Sequence, residues 1–166
     1  MKIRRSEMKD LDTILEMYKE ARKFMAASGN PTQWGNAYPP DEMILKDIQS
    51  GNSYVCEENG LIGTVFVFTM TPEKSYEGIY DGQWLNEKPY GVIHRMVSNR
   101  KIKGAAQFCL EWAFSQCGNI RIDTHEDNIP MQNLLRKCGF VRCGKINIWN
   151  ETERIAFQKY SPDKAA

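Results

Sequence analysis

The sequence predicts an α/β (α+β) fold in which a mixed central β-sheet of six to seven strands carries helices on both faces. Two observations predict this class. Between residues 90 and 138 the pattern strand, helix, strand, helix implies a parallel pair of strands joined by a right-handed crossover. Upstream, Asn59-Gly60 lies between two runs of β-branched and aromatic residues, which is typical of an antiparallel hairpin. Both kinds of strand pairing are therefore expected in one sheet.

The elements are predicted in the order β-α-α-β-β-insert-β-α-β-α-β-β. Helical spacing of apolar residues begins at Lys9, and the turn-forming residues 28–31 end that helix. Asn128 is suited to cap the last helix, with Pro130 in its first turn and Gly139 at its end. The other predicted segments are strands at 2–5, 53–57, 61–69, 90–98, 119–124 and 148–160, helices at 41–48 and 101–117, and a loop-rich insert at 70–89.

Composition and charge restrict the functional classes. The 166 residues fit a single domain, predicted at 1–162 with a short tail at 163–166. A net charge of +1 gives no electrostatic reason to expect a nucleic-acid or membrane partner. The five cysteines form no CxxC pair and indicate reduced thiols in a cytoplasmic protein. A homodimer is one assembly that the sequence allows.

The segment "KIKGAA" lies between a strand and a helix and is the first candidate ligand site. A strand, a short loop with a glycine, and a helix start form a place where backbone N–H groups hold phosphate. Its charged and small residues are Lys101, Lys103, Gly104, Ala105 and Ala106. A glycine at a helix start is also a common structural feature, and neither the GxxxxGK[ST] nor the GxGxxG spacing is present.

The stretch 121–140 places Asp123, His125, Glu126 and Asp127 close together, directly before a helix. A metal site, a catalytic acid/base group and a polar strand end beside a ligand groove are the three explanations. The chain has two histidines, and neighbouring residues alternate in direction along a strand, which disfavours a metal site. Asp123 and His125 share one strand face, either as hydrogen-bonded architecture or as part of a substrate pocket.

Aromatic residues in the loop-rich segments are candidates for the walls of a substrate pocket. These are Trp34, Tyr38, Trp84 and Tyr90. Buried packing is the alternative for each of them, because aromatic side chains also supply much of a protein core.

From residue 1 to about 160 the chain resembles the GNAT family of N-acetyltransferases. "KIKGAA" is similar to the family's [Q/R]xxGx[G/A] loop, with Lys101 in the usual Gln/Arg position, and "NGLIGTVFVF" is similar to its hairpin. Asn128 and Gly139-Phe140 match the start and end of the following helix. The resemblance implies that acetyl-CoA binds with its pyrophosphate at 101–106, while Met96 and Val97 offer backbone groups to the pantetheine arm in a gap between the central strands, beside Asn128.

The resemblance further implies an acetyltransferase that moves the acetyl group directly to a primary amine of a small molecule or a peptide amino terminus. Acetyl-CoA is then a co-substrate, and no metal is required. His94 is the candidate general base, since histidine exchanges protons near neutral pH, and a core histidine is its alternative. Leu135 occupies the position where many members carry a tyrosine acid. The rival hypothesis is therefore a non-catalytic acyl-CoA-binding sensor or partner module.

Overall fold

The computed structural model describes residues 1–163, so that the predicted tail at 163–166 lies, apart from Asp163, outside the described residues. The chain forms two compact units, residues 1–68 with 94–110, and residues 69–93 with 111 onward. The single-domain assignment stays a prediction.

The helices are α1 (Leu11–Ala27), α2 (Asp41–Gln49), α3 (Ala105–Cys117) and α4 (Ile129–Lys137). The strands are β1 (Lys2–Arg5), β2 (Ser53–Glu58), β3 (Leu61–Thr69), β4 (Gly91–Ser98), β5 (Asn119–Thr124), β6 (Val141–Asn147) and β7 (Glu153–Tyr160).

The described strands form one seven-stranded sheet in the order β1-β2-β3-β4-β5-β7-β6. β1, β2 and β3 pair antiparallel, as do β5, β7 and β6. β4 and β5 pair parallel at Gly91 with Ile120 and at Val92 with Arg121, on either side of the α3 crossover. The mixed sheet predicted from the sequence is confirmed.

The first unit has its helices on both sides of the hairpin. Asn59 and Gly60 adopt the positive φ angles of 52° and 77° that a tight turn needs. One face carries a core from α1, α2 and the strands, made of Ile14, Met17, Tyr18, Ile44, Ile48, Val55, Ile62, Val65 and Val97. On the other face, Cys109 of α3 lies against Cys56 and Thr64, which are partners in the β2–β3 register.

In the second unit the insert covers the edge of β6. Tyr80 and Lys145 exchange backbone hydrogen bonds of 2.9 and 2.8 Å, and the Gln83 N–H donates to the carbonyl of Cys143 at 2.8 Å. A Cβ on Gly82 would lie 1.9 Å from that same carbonyl oxygen, so the close approach requires glycine. The insert also contains a 3₁₀ turn at Lys74–Gly78.

Two predicted boundaries were wrong. α3 begins at Ala105 rather than at residue 101, because Gly104 at φ 80° stands outside the helix. The last strand begins at Glu153 rather than at 148, since the residues before it form a turn. In that turn Asn150 Oδ1 accepts hydrogen bonds from the backbone N–H and the hydroxyl of Thr152, and Glu151 has a φ of 62°.

Candidate active site

The β4–α3 segment, residues 94–106, contains one group of the predicted site residues and belongs to the first unit. Arg95 has a φ of 51° in the middle of β4, a value that non-glycine residues seldom adopt within a strand. The hydroxyl of Tyr18, from α1, donates a hydrogen bond of 2.8 Å to the carbonyl of Arg95. Strained residues of this kind persist where surrounding contacts hold them, and they concentrate at functional sites.

The Arg95 side chain is fixed as firmly as its backbone. Its Nη2 and Nε donate to the two carboxylate oxygens of Asp47 at 2.8 and 2.9 Å, and both side chains are about 15% exposed. Burial lowers the pKa of Arg95, but Asp47 and Tyr38 together outweigh it and the net shift is upward. Burial also raises the pKa of Tyr18, so that its hydroxyl stays protonated and remains a donor to the backbone of Arg95.

Two aromatic side chains, Trp34 and Tyr38, extend the network of contacts around Tyr18 and Arg95. Trp34 lies 5.8 Å from the ring of Tyr18 and 6.2 Å from that of Tyr38, measured between centroids. The hydroxyl of Tyr38 lies 3.5 Å from Nη1 of Arg95. Trp34 and Tyr38 are both half-buried, so the structure brings these two predicted pocket residues together beside Arg95.

Three other predicted residues flank Arg95 on β4. His94 and Met96 are half-buried. Val97 is 5% exposed and its side chain packs in the core of the first unit, which leaves its backbone as the part that a ligand can meet.

The loop from Asn99 to Gly104 leads from β4 into α3. Lys101, Lys103 and Gly104 are exposed. Gly104 has a φ of 80°, and a Cβ built on it would meet no atom within 4 Å. The first N–H groups of a helix have no intrahelical acceptor and carry a partial positive charge. The N–H of Ala105 donates to the carbonyl of Ile102 at 3.3 Å, and the rest of the α3 start offers donors to an anion.

The β5–α4 segment, residues 123–128, contains another group of the predicted site residues and belongs to the second unit. Asn128 caps α4 as predicted, since its Oδ1 accepts a hydrogen bond of 3.2 Å from the N–H of Met131. The side-chain amide of Gln132 donates to the carbonyls of His125 and Glu126 at 3.3 and 2.6 Å. Local hydrogen bonds therefore fix the turn between strand and helix.

The acids and the histidine of this segment are hydrogen-bonded. The hydroxyl of Tyr76 donates to Asp123 at 2.8 Å, and burial raises the pKa of Tyr76 far above its usual value. Nδ1 of His125 accepts from the N–H of Asp127 at 3.0 Å. Burial first, and then the charge of Arg154, lower the pKa of His125, which favours the neutral ring. These contacts favour the polar strand end among the three explanations.

The aromatic residues of the insert differ from those of the first unit. Trp84 is 7% exposed, packs in the core of the second unit and donates from Nε1 to the carbonyl of Tyr76 at 2.8 Å. The guanidinium of Arg121 lies 4.3 Å from the Trp84 ring centroid and 4.0 Å from that of Tyr90. The ring and the N–H of Trp84 are both engaged within the core, which favours buried packing, the alternative stated for it, over a pocket wall.

The sequence did not single out Tyr18, Asp47, Arg95 or Tyr76. Arg95 offered one signal, a charged residue inside a largely apolar strand. The other three gain their importance from partners distant in sequence, such as Tyr18 and Arg95, which are 77 positions apart. Spacing patterns carry no information about such contacts.

Across residues 1–163, no group of three or more histidine, cysteine, aspartate or glutamate side chains is arranged to hold a metal ion. Within the same residues no helix is long and apolar enough to cross a membrane.

Comparison with known proteins gives matches among solved structures. No protein-family model matches the sequence, and a search of curated proteins gives no match. An acetyltransferase of the GNAT family from Streptococcus agalactiae 2603 is 32% identical with a TM-score of 0.87, and the match covers 96% of this chain and 95% of that one. A Staphylococcus aureus Mu50 protein proposed to be an acetyltransferase is 28% identical with a TM-score of 0.71, covering 96% and 99%. The Salmonella typhimurium protein YncA, solved with its cofactor acetyl-CoA, is 15% identical with a TM-score of 0.65, covering 99% and 96%, and shares the fold.

Proposed function

This chain belongs to the GNAT family of acetyltransferases, and on that premise we propose that it transfers the acetyl group of acetyl-CoA directly to a primary amine. The acceptor is a small molecule or a peptide amino terminus. The observation that carries the proposal is the exposed, positive-φ Gly104 at the start of α3, with open space at its Cβ position and a lysine on either side of Ile102. The acetyl-CoA of YncA, which has the same fold, supports this choice of donor.

The pyrophosphate of acetyl-CoA binds at residues 101–106 in this proposal. The helix start supplies N–H donors, and Lys101 and Lys103 supply positive charge beside them. A side chain at residue 104 would occupy the space that the phosphates need, which explains the glycine. The backbone of Met96 and Val97 then holds the pantetheine arm, and Asn128 borders it.

His94 is the proposed general base. It takes a proton from the substrate ammonium, directly or through one water, and the free amine attacks the carbonyl carbon of the thioester. The new C–N bond forms as the C–S bond breaks, and CoA leaves as a thiolate that takes up a proton. Positioning and proton removal are sufficient for this reaction, because the thioester is already activated.

The proton for the leaving thiolate does not come from residue 135. Leu135 is fully buried and has no acidic group, so water or another group supplies that proton. This position is the observation that favours the second candidate function, a module that binds acyl-CoA without transferring the acyl group.

A single assay separates the two functions. Acetyl-CoA is incubated with the protein and a panel of small amines, polyamines and peptides, while free thiol is measured and each acceptor is weighed by mass spectrometry. Acceptor-dependent thiol release together with an acetylated acceptor is expected, and wells without acceptor are the control. Tight acetyl-CoA binding with no acetylated product across the panel would favour the binding module.

A further inference from the structure

The loop that follows β4 is fastened to the neighbouring hairpin strand by Asn99. Its backbone N–H donates to the carbonyl of Gly63 at 3.0 Å, and its side-chain amide donates to the carbonyl of Ile62 at 2.7 Å. Its Oδ1 accepts a hydrogen bond of 3.0 Å from the N–H of Lys101. One side chain thus holds the start of the loop against β3 and shapes its next turn.

A second contact between the loop and β3 lies beside the first and depends on Gly63 having no side chain. A Cβ built on Gly63 would lie 2.7, 2.9 and 3.0 Å from Cδ1, Cβ and Cγ1 of Ile102. Ile102 is 7% exposed although the residues on both sides of it are exposed. The missing side chain at Gly63 therefore leaves the space that Ile102, the one buried side chain of the loop, occupies. This space is called the glycine seat below.

The remaining loop contacts are also made to residues of the first unit. The hydroxyl of Ser98 lies 3.3 Å from the carbonyl of Gly63 and accepts from the N–H of Arg100 at 3.2 Å. The guanidinium of Arg100 lies 3.7 Å from the ring centroid of Phe24. The loop is thus held at its start and at its middle, while Lys101, Lys103 and Gly104 stay exposed.

We propose that Asn99 and the glycine seat at Gly63 are positioning residues that preorganise the loop for the pyrophosphate of acetyl-CoA. This inference rests on the proposed function. A loop already ordered in its binding shape avoids the cost of ordering its side chains on association. Neither residue is a catalytic residue, because each acts through the loop.

Asn99→Ala tests the side-chain fastening. Loss of both side-chain hydrogen bonds loosens the turn, and the Kd for CoA measured by calorimetry is expected to rise about tenfold. The KM for acetyl-CoA rises with it, whereas kcat at saturating acetyl-CoA and the KM for the acceptor stay unchanged. If Asn99 had only a structural role, its loss would lower the melting temperature. The ratio of the KM for acetyl-CoA to the KM for the acceptor would then stay as in the wild type.

Gly63→Ala tests the seat, with Gly60→Ala as the matched control in the same hairpin. The control places a methyl group at a φ of 77° with no atom within 4 Å, so it strains the turn without touching the loop. Gly63→Ala displaces Ile102, and weaker CoA binding is expected for it and not for Gly60→Ala. Adding Ile102→Ala to Gly63→Ala removes two of the three clashing atoms and should recover part of the affinity.

The outcomes are distinguishable. Wild-type Kd values in folded Asn99→Ala and Gly63→Ala would overturn the positioning role and leave the proposed function standing. Failure of the wild-type protein to bind CoA at all would overturn the proposed function and this inference together.

Discussion

The two segments that contain the predicted site residues, β4–α3 and β5–α4, are built in opposite ways. The β4–α3 segment departs from regular backbone three times, with φ values of 51° at Arg95, 61° at Arg100 and 80° at Gly104. Tyr18, Asp47 and Gly63, all distant in sequence, hold it in that shape. The β5–α4 segment instead consists of a regular strand and a capped helix, and apart from the long-range bond from Tyr76 to Asp123 its side chains bond close to their own positions. Irregular backbone held by long-range contacts is typical of ligand sites, whereas local capping is typical of architecture.

Gly104→Glu should reduce acetyl-CoA binding more than any other substitution proposed, because it changes the irregular segment itself. Added bulk and negative charge beside the phosphates should abolish acetyl-CoA binding, measured by calorimetry. Gly29→Glu is the matched control, because Gly29 also has a positive φ, of 88°, with no atom within 4 Å of its Cβ position. Both variants carry the same backbone strain, and unchanged acetyl-CoA affinity in a folded Gly104→Glu protein would reject the site.

The next largest effect is expected for His94→Gln, on the rate of acetyl transfer. Loss of a general base lowers kcat/KM by about 10²-fold or more, while CoA affinity stays nearly unchanged. The acidic limb of the pH–rate profile should also move, because the group that must lose its proton is gone. A folded variant with the wild-type rate and the same acidic limb would return His94 to the core-histidine alternative.

Tyr18→Phe removes only the hydroxyl that holds Arg95. The carbonyl of Arg95 then loses a donor in a partly buried setting, and unfolding in urea should show a loss of about 1–3 kcal/mol. kcat/KM should fall as well, since the turn of β4 next to His94 is less firmly held. Tyr80→Phe is the control in the second unit, where the hydroxyl donates to the exposed Glu153 at 2.7 Å. An equal, small effect from both substitutions would show that the Arg95 conformation needs no help from Tyr18.

Asn128→Ala tests the locally built segment. Loss of the cap should cost about 1 kcal/mol of unfolding free energy, and Asn128→Ser should keep most of it because serine is also a good cap. CoA binding should weaken as well if the residue borders the pantetheine arm. Loss of stability with unchanged CoA binding would make Asn128 purely architectural.

The smallest effect concerns pH. The pKa of His125 is lowered in the folded protein, chiefly by burial, so folding favours the neutral ring. As pH falls through about 6.5 the unfolded chain takes up the proton first, so stability present above that pH is lost between it and the lower folded pKa. His125→Asn keeps an acceptor for the N–H of Asp127 and removes the titration. The melting temperature of this variant should depend less on pH in that window, and parallel curves would contradict the assignment.

The locally built features could be predicted from the sequence. The Asn59-Gly60 turn, the cap at Asn128 and the parallel strands around α3 each depend on residues within a short window, and the structure has all three. Turn, cap and periodicity signals act over such distances. The GNAT fold followed from these elements together with the loop motif.

The irregular features could not be predicted in the same way. Nothing near Arg95 in the sequence demands a positive φ, because the hydroxyl and the carboxylate that stabilise it lie 77 and 48 positions away. Gly63 gave a family-like hairpin pattern, but its reason appears only when Ile102 is seen in contact with it. The burial of Trp84 could not be foreseen either, because an aromatic residue in a loop-rich insert gives no sign of which core it enters.

A crystal structure of the protein with CoA bound is the sharpest test of the proposed site. We expect the pyrophosphate at the backbone N–H groups of the α3 start, next to Lys101 and Lys103, with the pantetheine arm along Met96 and Val97 and its thiol toward His94. CoA held elsewhere on the protein, with the start of α3 empty, would contradict it.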